Sequence, residues 1–164
     1  MGSQFNTLTN EFWAYFAGFL DGDGCIAANV EKSKTKLGVR TRIRISFTQH
    51  RSRRKVLDKL KSKISEGQVA EYDHNGMAEY VIRDQETIKE ILENIQPYVI
   101  VKLEHLNLAI KMLKMQDRNY NYDNLQKALL IAQKIKSLNN YPKSVKFDPV
   151  TTEVVRPRYR FYKY

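Results

Sequence analysis

Val39-Arg40-Thr41-Arg42-Ile43-Arg44-Ile45-Ser46-Phe47-Thr48-Gln49 alternates with a period of two. Val39, Thr41, Ile43, Ile45 and Phe47 share one side; Arg40, Arg42, Arg44, Ser46 and Thr48 share the other. Successive side chains of a strand point to opposite faces, so the stretch predicts a half-buried strand with a core side and an arginine ladder. Ahead of it, Cys25 to Ser33 repeats the pattern, Ile26, Ala28 and Val30 alternating with Ala27, Asn29 and Glu31. Lys32 to Gly38 between the two runs is polar and turn-like, which makes them a hairpin.

Further along, the period changes. Arg53 to Ile64 places Val56, Leu57, Leu60 and Ile64 on one helical stripe, and Gly67 ends it. Gln68 to Tyr72 and Met77 to Arg83 predict a second hairpin around Asp73-His74-Asn75-Gly76, whose Asn-Gly pair favours a tight turn. Thr87 to Ile95, Leu103 to Met115 and Asn124 to Leu138 carry Leu, Ile or Ala at helical spacing. At the other end, Glu11 to Leu20 is apolar almost all round and suits a buried helix, with Thr9 or Asn10 as its N-cap. The resulting order is α, ββ, α, ββ, α, α, α. It predicts one α+β domain over residues 1–164 with a four-stranded antiparallel sheet. Residues 1–10 form a lead, with Met1-Gly2-Ser3 reading as a cloning scar, and 139–164 form a basic tail containing Pro142, Pro149 and Pro157.

Composition limits what this domain can be. At 164 residues with 42% hydrophobic and 28% charged residues, the chain has ordinary globular usage, which excludes a disordered polymer. No run approaches the ~18 uncharged apolar residues of a membrane span, and Met1 to Asn10 shows no secretory pattern. A single cysteine, Cys25, excludes an intrachain disulfide, and with three histidines it leaves no Cys/His zinc framework. His50 and His74 read as solvated or phosphate-contacting groups, His105 as structural, and Cys25 as a small reduced residue. The net charge of +10 points to a polyanionic partner. Residues 1–24 hold three acids and no Lys or Arg, whereas 25–83 hold fourteen basic against six acidic residues. The positive block therefore follows directly on an acid-bearing helix.

The polar side of the sheet is more varied than a phosphate-binding surface needs. Arg40, Arg42 and Arg44 are accompanied by Asn29, Glu31, Ser33 and Ser46 on the first hairpin and by Gln68, Ala70, Tyr72 and Glu79 on the second. Arg matches guanine, Asn and Gln match adenine, and Glu accepts from cytosine, so the mix suggests base reading in a DNA major groove. Single-stranded RNA would need stacking aromatics, and the face offers mainly Tyr72.

Asp21 and Asp23 fall where the first helix stops, each followed by a glycine, Gly22 and Gly24. A helix C-terminus carries partial negative charge and disfavours carboxylates. A divalent cation would relieve that conflict, since Mg²⁺ takes one or two carboxylates together with carbonyl, water and phosphate oxygens. The segment Phe16-Ala17-Gly18-Phe19-Leu20-Asp21-Gly22-Asp23-Gly24 resembles the signature of the LAGLIDADG homing endonucleases, with Phe for Leu at its first position. The motif occurs once, and order and length resemble the single-motif homodimeric branch of intron-encoded enzymes from algal organelles.

The resemblance implies an αββαββα fold with extra C-terminal helices. It implies a double-strand break in a long pseudo-palindromic DNA site, made by Mg²⁺-dependent phosphodiester hydrolysis that leaves short 3′ overhangs. Mn²⁺ would substitute, and Ca²⁺ would bind without cleavage. By the same resemblance Asp23 is the metal ligand, supported by the Gly22 carbonyl, and Gln49, Arg53 and Lys102 complete the catalytic group. Lys143 and Lys146 would touch the DNA backbone. Ala14, Ala17 and Gly18 give the first helix a small-residue face on which a second copy can approach, with Asp21 at the same interface. Two further functions stay open at this stage: an intron RNA maturase, and a non-cleaving sequence-specific DNA-binding protein such as a repressor. An organellar location follows from the resemblance alone.

Overall fold

In the computed structural model, residue 5 and residues 7–73, 75–116 and 121–140 are described. The alternation around Ile43 builds the sheet expected from it. Strand β1 (Gly24–Lys32) pairs antiparallel with β2 (Val39–His50), Ile26 opposite Ile45 and Asn29 opposite Arg42. Strand β4 (Met77–Ile82) lies on the other side of β2, Phe47 opposite Tyr80, and β3 (Gln68–Tyr72) pairs outside β4. The strand order is β1-β2-β4-β3.

Helices cover one face of this sheet. Helix α1 (Asn10–Asp23) starts on Thr9, whose hydroxyl accepts from the Phe12 N–H at 3.3 Å. It buries Phe16 and Leu20 over β2, the Phe16 ring meeting Phe47 edge-on at 5.1 Å. Helix α2 (Lys55–Ile64) contributes Leu57, Leu60 and Ile64, and α3 (Gln85–Ile95) contributes Ile88, Ile91, Leu92 and Ile95. Helices α4 (Leu103–Gln116) and α5 (Tyr122–Asn139) pack on each other and on β1. Full burial of such side chains contributes about 1.5–3 kcal/mol each, which makes the apolar side of the alternation the main determinant of register.

Three polar contacts finish β1 and β2 where no strand can. β4 ends opposite Ile45, so the Gln85 side chain pairs with Ile43 instead: its Oε1 accepts from the Ile43 N–H at 2.8 Å and its Nε2 donates to the Ile43 carbonyl at 2.9 Å. Gln116 Nε2 donates to the Thr41 carbonyl at 2.8 Å, and Asn139 Nδ2 to the Ile26 carbonyl at 2.8 Å. A buried backbone group without a partner costs about 1–3 kcal/mol, so these amides hold the strand ends as firmly as a ladder would.

The structure departs from the sequence expectations at several ends. Helix α1 extends beyond the apolar run Glu11 to Leu20 and takes in both acids through Asp23, and Gly24 caps it with its N–H on the Leu20 carbonyl. A Cβ at Gly24 would stand 2.5 Å from Leu20 Cδ1 and 2.8 Å from Leu20 Cα, so close approach explains this glycine. Arg53 falls in a short 3₁₀ turn, Arg51–Arg53, ahead of α2. Val30, expected on the core side, is 54% exposed, because apolar cover ends at Ala28 and the outer half of β1 is exposed on both faces. In the N-terminal lead, Phe5 is buried against Trp13 at 5.4 Å.

Candidate nucleic-acid interface and acidic centre

The second face of the sheet gathers the polar residues in register. Ala27 lies opposite Arg44, Asn29 opposite Arg42 and Glu31 opposite Arg40. Thr48 lies opposite Glu79, and Glu79 opposite Ala70, while Gln68 and Tyr72 flank Ala70 on β3. The three arginines point the same way because the alternate residues Thr41, Ile43 and Ile45 are buried on the opposite face. Their partners differ. Arg40 pairs with exposed Glu31 at 3.3 Å, Arg42 donates to the Arg83 carbonyl at 3.3 Å, and Arg44 donates to Glu79 Oε1 at 2.5 Å. The second oxygen of Glu79 accepts from the Tyr72 hydroxyl.

Two of the expected base contacts are therefore corrected. Glu79 is only 8% exposed and both its oxygens are occupied, so it is an internal partner of Arg44 and Tyr72 rather than a free acceptor. Ser46 is 6% exposed although no helix of the described residues lies over that face. Asn29, Gln68, Ala70 and Tyr72 are exposed, and Ser33 sits in the β1–β2 turn, its hydroxyl accepting from the Thr35 N–H at 3.3 Å. Lys143 and Lys146 lie outside the described residues.

The acids stand at one end of this face. Asp23, exposed at the last position of α1, accepts from Gln49 Nε2 at 2.6 Å. Asp21 is engaged otherwise than expected. Its carboxylate accepts from the N–H groups of Ile100 at 2.7 Å, Lys102 at 2.9 Å and Val101 at 3.1 Å, and the Lys102 ammonium donates to the Asp21 carbonyl at 2.6 Å. Burial pushes the Asp21 carboxyl up, but the three N–H groups and the Lys102 charge outweigh it and hold the carboxyl below the usual value. Asp21 thus forms an intrachain lock between the end of α1 and the head of α4. Ala17 is corrected: it is fully buried in the core of its own chain, whereas Ala14 and Gly18 are exposed.

A cleft of about 270 Å³ is lined by Gly22, Asp23, Gly24, Cys25, Val101, Lys102, His105, Leu138 and Asn139. The structure therefore brings Asp23, Gly22 and Lys102 to one cleft, with Gln49 bonded to Asp23. Arg53 is exposed on the turn that follows β2. Sequence reasoning missed Asn139, whose side chain ties α5 to Ile26, and it missed that His105 faces the cleft. Only the helical spacing of Lys102 and His105, three residues apart, could have signalled the latter. Burial and the Lys102 charge push the His105 imidazole below its usual value, favouring the neutral ring. Burial likewise pushes the Cys25 thiol up, away from nucleophilic chemistry. His50 caps the 3₁₀ turn, its Nδ1 meeting Ser52 Oγ at 2.8 Å.

The donor set can be tested against the implied cation. Among the described residues no three His, Cys, Asp or Glu side chains gather to form a protein-only metal cage. One exposed carboxylate, with helix-end carbonyls that have no intrahelical partner, is the partial oxygen set that suits Mg²⁺ when phosphate, water or a second carboxylate completes it. The residues fit the ion on those terms.

An arginine-bearing sheet with an acid-tipped helix at one end describes a class of nucleic-acid enzymes. The chain belongs to the LAGLIDADG endonuclease family, whose model matches residues 16–107. It is 30% identical over 115 residues to the DNA endonuclease I-CreI of Chlamydomonas reinhardtii, covering 70% of this chain and 68% of that protein. It is 27% identical over 125 residues to the DNA endonuclease I-CvuI of Chlorella vulgaris, covering 75% and 76%. The fold matches solved I-CvuI in complex with the I-CreI target in the presence of Mg with a TM-score of 0.72 at 24% identity, over 83% of this chain and 87% of that one. It also matches the meganuclease I-SmaMI bound to DNA with a TM-score of 0.70 at 19% identity, over 80% of this chain but 46% of that one. The expected α+β fold and the family resemblance carried by residues 16–24 are both borne out.

Proposed function

We infer that this chain is a homodimeric, site-specific DNA endonuclease that cuts both strands by metal-dependent phosphodiester hydrolysis. The observation that carries the reading is the position of Asp23: at the tip of α1, bonded to Gln49, at the edge of a base-matched sheet face. Across its eleven steps β2 is roughly 36 Å long at ~3.3 Å per residue, about one helical turn of DNA. One copy therefore suits one half of a long site.

Support for pairing comes from α1. Gly18 lies inside the helix, where glycine costs about 0.5–1 kcal/mol relative to Ala, yet a Cβ there would meet nothing within 4 Å. Its own chain gives no reason for it; close approach of a second backbone does. Exposed Tyr15, Ile100 and Val101 add apolar surface, and the match to less than half of I-SmaMI fits a chain that works in twos.

In this reading Arg40, Arg42, Arg44, Asn29 and Gln68 contact bases and backbone in the major groove. Asp23 and the Gly22 carbonyl would hold Mg²⁺, or Mn²⁺ in its place. The bound ion would supply positive charge to the phosphate and a more acidic water. Gln49 holds one Asp23 oxygen, and the residue stays exposed. Lys102, tied to the α1 carboxyl end, brings a fixed cation into the cleft for the phosphate, and Arg53 adds one from the neighbouring turn. The organellar location rests on the matching endonucleases being from Chlamydomonas and Chlorella.

The test is incubation with a library of long DNA sites in Mg²⁺ and then in Ca²⁺, sequencing cut and bound fractions. The expected result is cutting in Mg²⁺ alone and binding in both. RNA-preferring binding would favour a maturase, and metal-indifferent DNA binding without cutting a repressor.

A further inference from the structure

The three arginines of β2 look equivalent in sequence, and the structure makes one of them different. Arg40 and Glu31 form a surface pair with half-exposed side chains, an arrangement worth little and free to rearrange. Arg42 donates to the Arg83 carbonyl at 3.3 Å. Arg44 instead meets Glu79, which is nearly buried and bonded by Tyr72 as well.

Register gives this contact a direction. Glu79 lies opposite Thr48, four residues beyond Arg44 on β2, a distance of roughly 13 Å at ~3.3 Å per residue. Only a side chain laid along the strand spans that gap. Ser46 and Val81, paired with each other, lie within it and are both 6% exposed, on a face where no helix of the described residues lies. The Arg44 arm crosses them. Its guanidinium therefore sits well displaced toward Gln49 and Asp23, away from the level of its own backbone. Arg44 Nε is buried without a hydrogen-bond partner among the described residues, but the side chain as a whole is 34% exposed, so the remaining guanidinium N–H groups keep donor capacity beyond the Glu79 bond.

We propose that Glu79 is a positioning residue for sequence discrimination, holding the Arg44 guanidinium and the Tyr72 hydroxyl as one reading unit for the base pairs at the Asp23 end of each half-site. The proposal rests on the DNA-reading role of this face. Arg44 is a donor only, and its free fork edge suits guanine O6 and N7. Tyr72 spends its proton on Glu79 and is left as an acceptor toward the groove, suited to the amino group of adenine or cytosine. Removing the Glu79 charge frees the arginine to swing toward phosphate, where it carries no sequence information.

The experiment measures binding in Ca²⁺ to half-sites randomised position by position, for wild type, Glu79→Gln and Tyr72→Phe. Glu79→Gln is expected to lower discrimination about tenfold at the base pairs nearest the cut, the loss of one good bidentate contact. Preferences at the outer pairs, facing Arg40 and Arg42, stay unchanged. Tyr72→Phe, on an exposed residue whose loss does not threaten folding, gives a smaller change confined to the same positions. An unaltered Glu79→Gln profile, or a loss spread evenly over all positions, overturns the proposal. Should Glu79→Gln melt early and bind nothing, a Tyr72→Phe profile identical to wild type overturns it equally. A wild type without sequence preference would instead remove the DNA-reading role itself.

Discussion

Asp21 and Lys102 each terminate the other's helix. The Asp21 carboxylate accepts N–H groups from Ile100, Val101 and Lys102 at the head of α4, and the Lys102 ammonium donates to the Asp21 carbonyl at the foot of α1. The conflict posed by an acid at a helix C-terminus is resolved by placing it at another helix's N-terminal approach, where negative charge is favoured, and by returning a cation to the first. Lys102 also begins α4, its carbonyl accepting from the Leu106 N–H at 2.9 Å. The lock fixes Lys102 beside the cleft that Asp23 lines.

Replacing Asp21 by Ala removes an acceptor from three N–H groups at once. The expected loss is about 1.5–3 kcal/mol, the range for hydrogen bonds to a charged group, read from urea denaturation at pH 7. The sign of the pH dependence follows from the depressed carboxyl. Its contribution is complete above the unfolded value of about 3.9 and is lost as pH falls through the lower folded value. Wild type and Asp21→Asn should differ in midpoint at pH 7 and converge in the acid range below that window; a constant gap would contradict the assignment.

At Gly24 the chain turns from α1 into β1 over the Leu20 backbone. A methyl group there meets Leu20 Cα at 2.8 Å and Leu20 Cδ1 at 2.5 Å, and backbone cannot rotate away. Gly24→Ala should cost about 1–3 kcal/mol, as overpacking does. It should also shift the neighbouring Asp23, so that cleavage falls more than the melting temperature suggests. Thermal melting and single-turnover rates measure the two effects.

How much of this was legible in the sequence depended on whether a signal was local. The period of two around Ile43 and the stripe of Leu57, Leu60 and Ile64 are local, and they led directly to the sheet and to α2. The Asp-Gly-Asp-Gly elbow was legible as a violation of helix electrostatics, and the structure sets its Gly22 and Asp23 on the cleft that Lys102 also lines. What relieved the violation at Asp21 lies about eighty residues away in the chain, and no local pattern announces it. Glu79 failed for a related reason. Alternation assigned it correctly to the polar face, but its burial is created by Arg44 and Tyr72 from two other strands. Ala17 was placed with Ala14 and Gly18 by size, whereas its angular position on α1 turns it into the core beside Phe16 and Leu20.

Gly18→Leu separates folding of the chain from pairing of two chains. The site is open within one copy, and leucine is a better helix former than glycine, so the helix itself should be unharmed or slightly stabilised. Close backbone approach of a second copy is blocked. Sedimentation should then show monomer where wild type shows dimer, with an unchanged circular dichroism spectrum. A dimer that persists in this variant would place the pairing surface elsewhere than on α1.

Gln49 and Asp23 share a hydrogen bond that orients the proposed metal ligand, at 2.6 Å. Asp23 is exposed and is the residue that would hold the ion, so Asp23→Asn should abolish Mg²⁺-dependent cutting while leaving melting and Ca²⁺-supported DNA binding near wild type. Gln49→Ala leaves the carboxylate in place but unheld. Loss of a partner that orients a metal ligand typically costs about 10–100-fold in metal affinity or activity. Cleavage by Gln49→Ala should therefore fall within that range and recover in part at higher Mg²⁺, whereas no Mg²⁺ concentration rescues Asp23→Asn. Equal rescue of both variants would mean that Asp23 does not bind the ion, and undiminished cutting by Gln49→Ala would show that the hydrogen bond does not orient a working ligand.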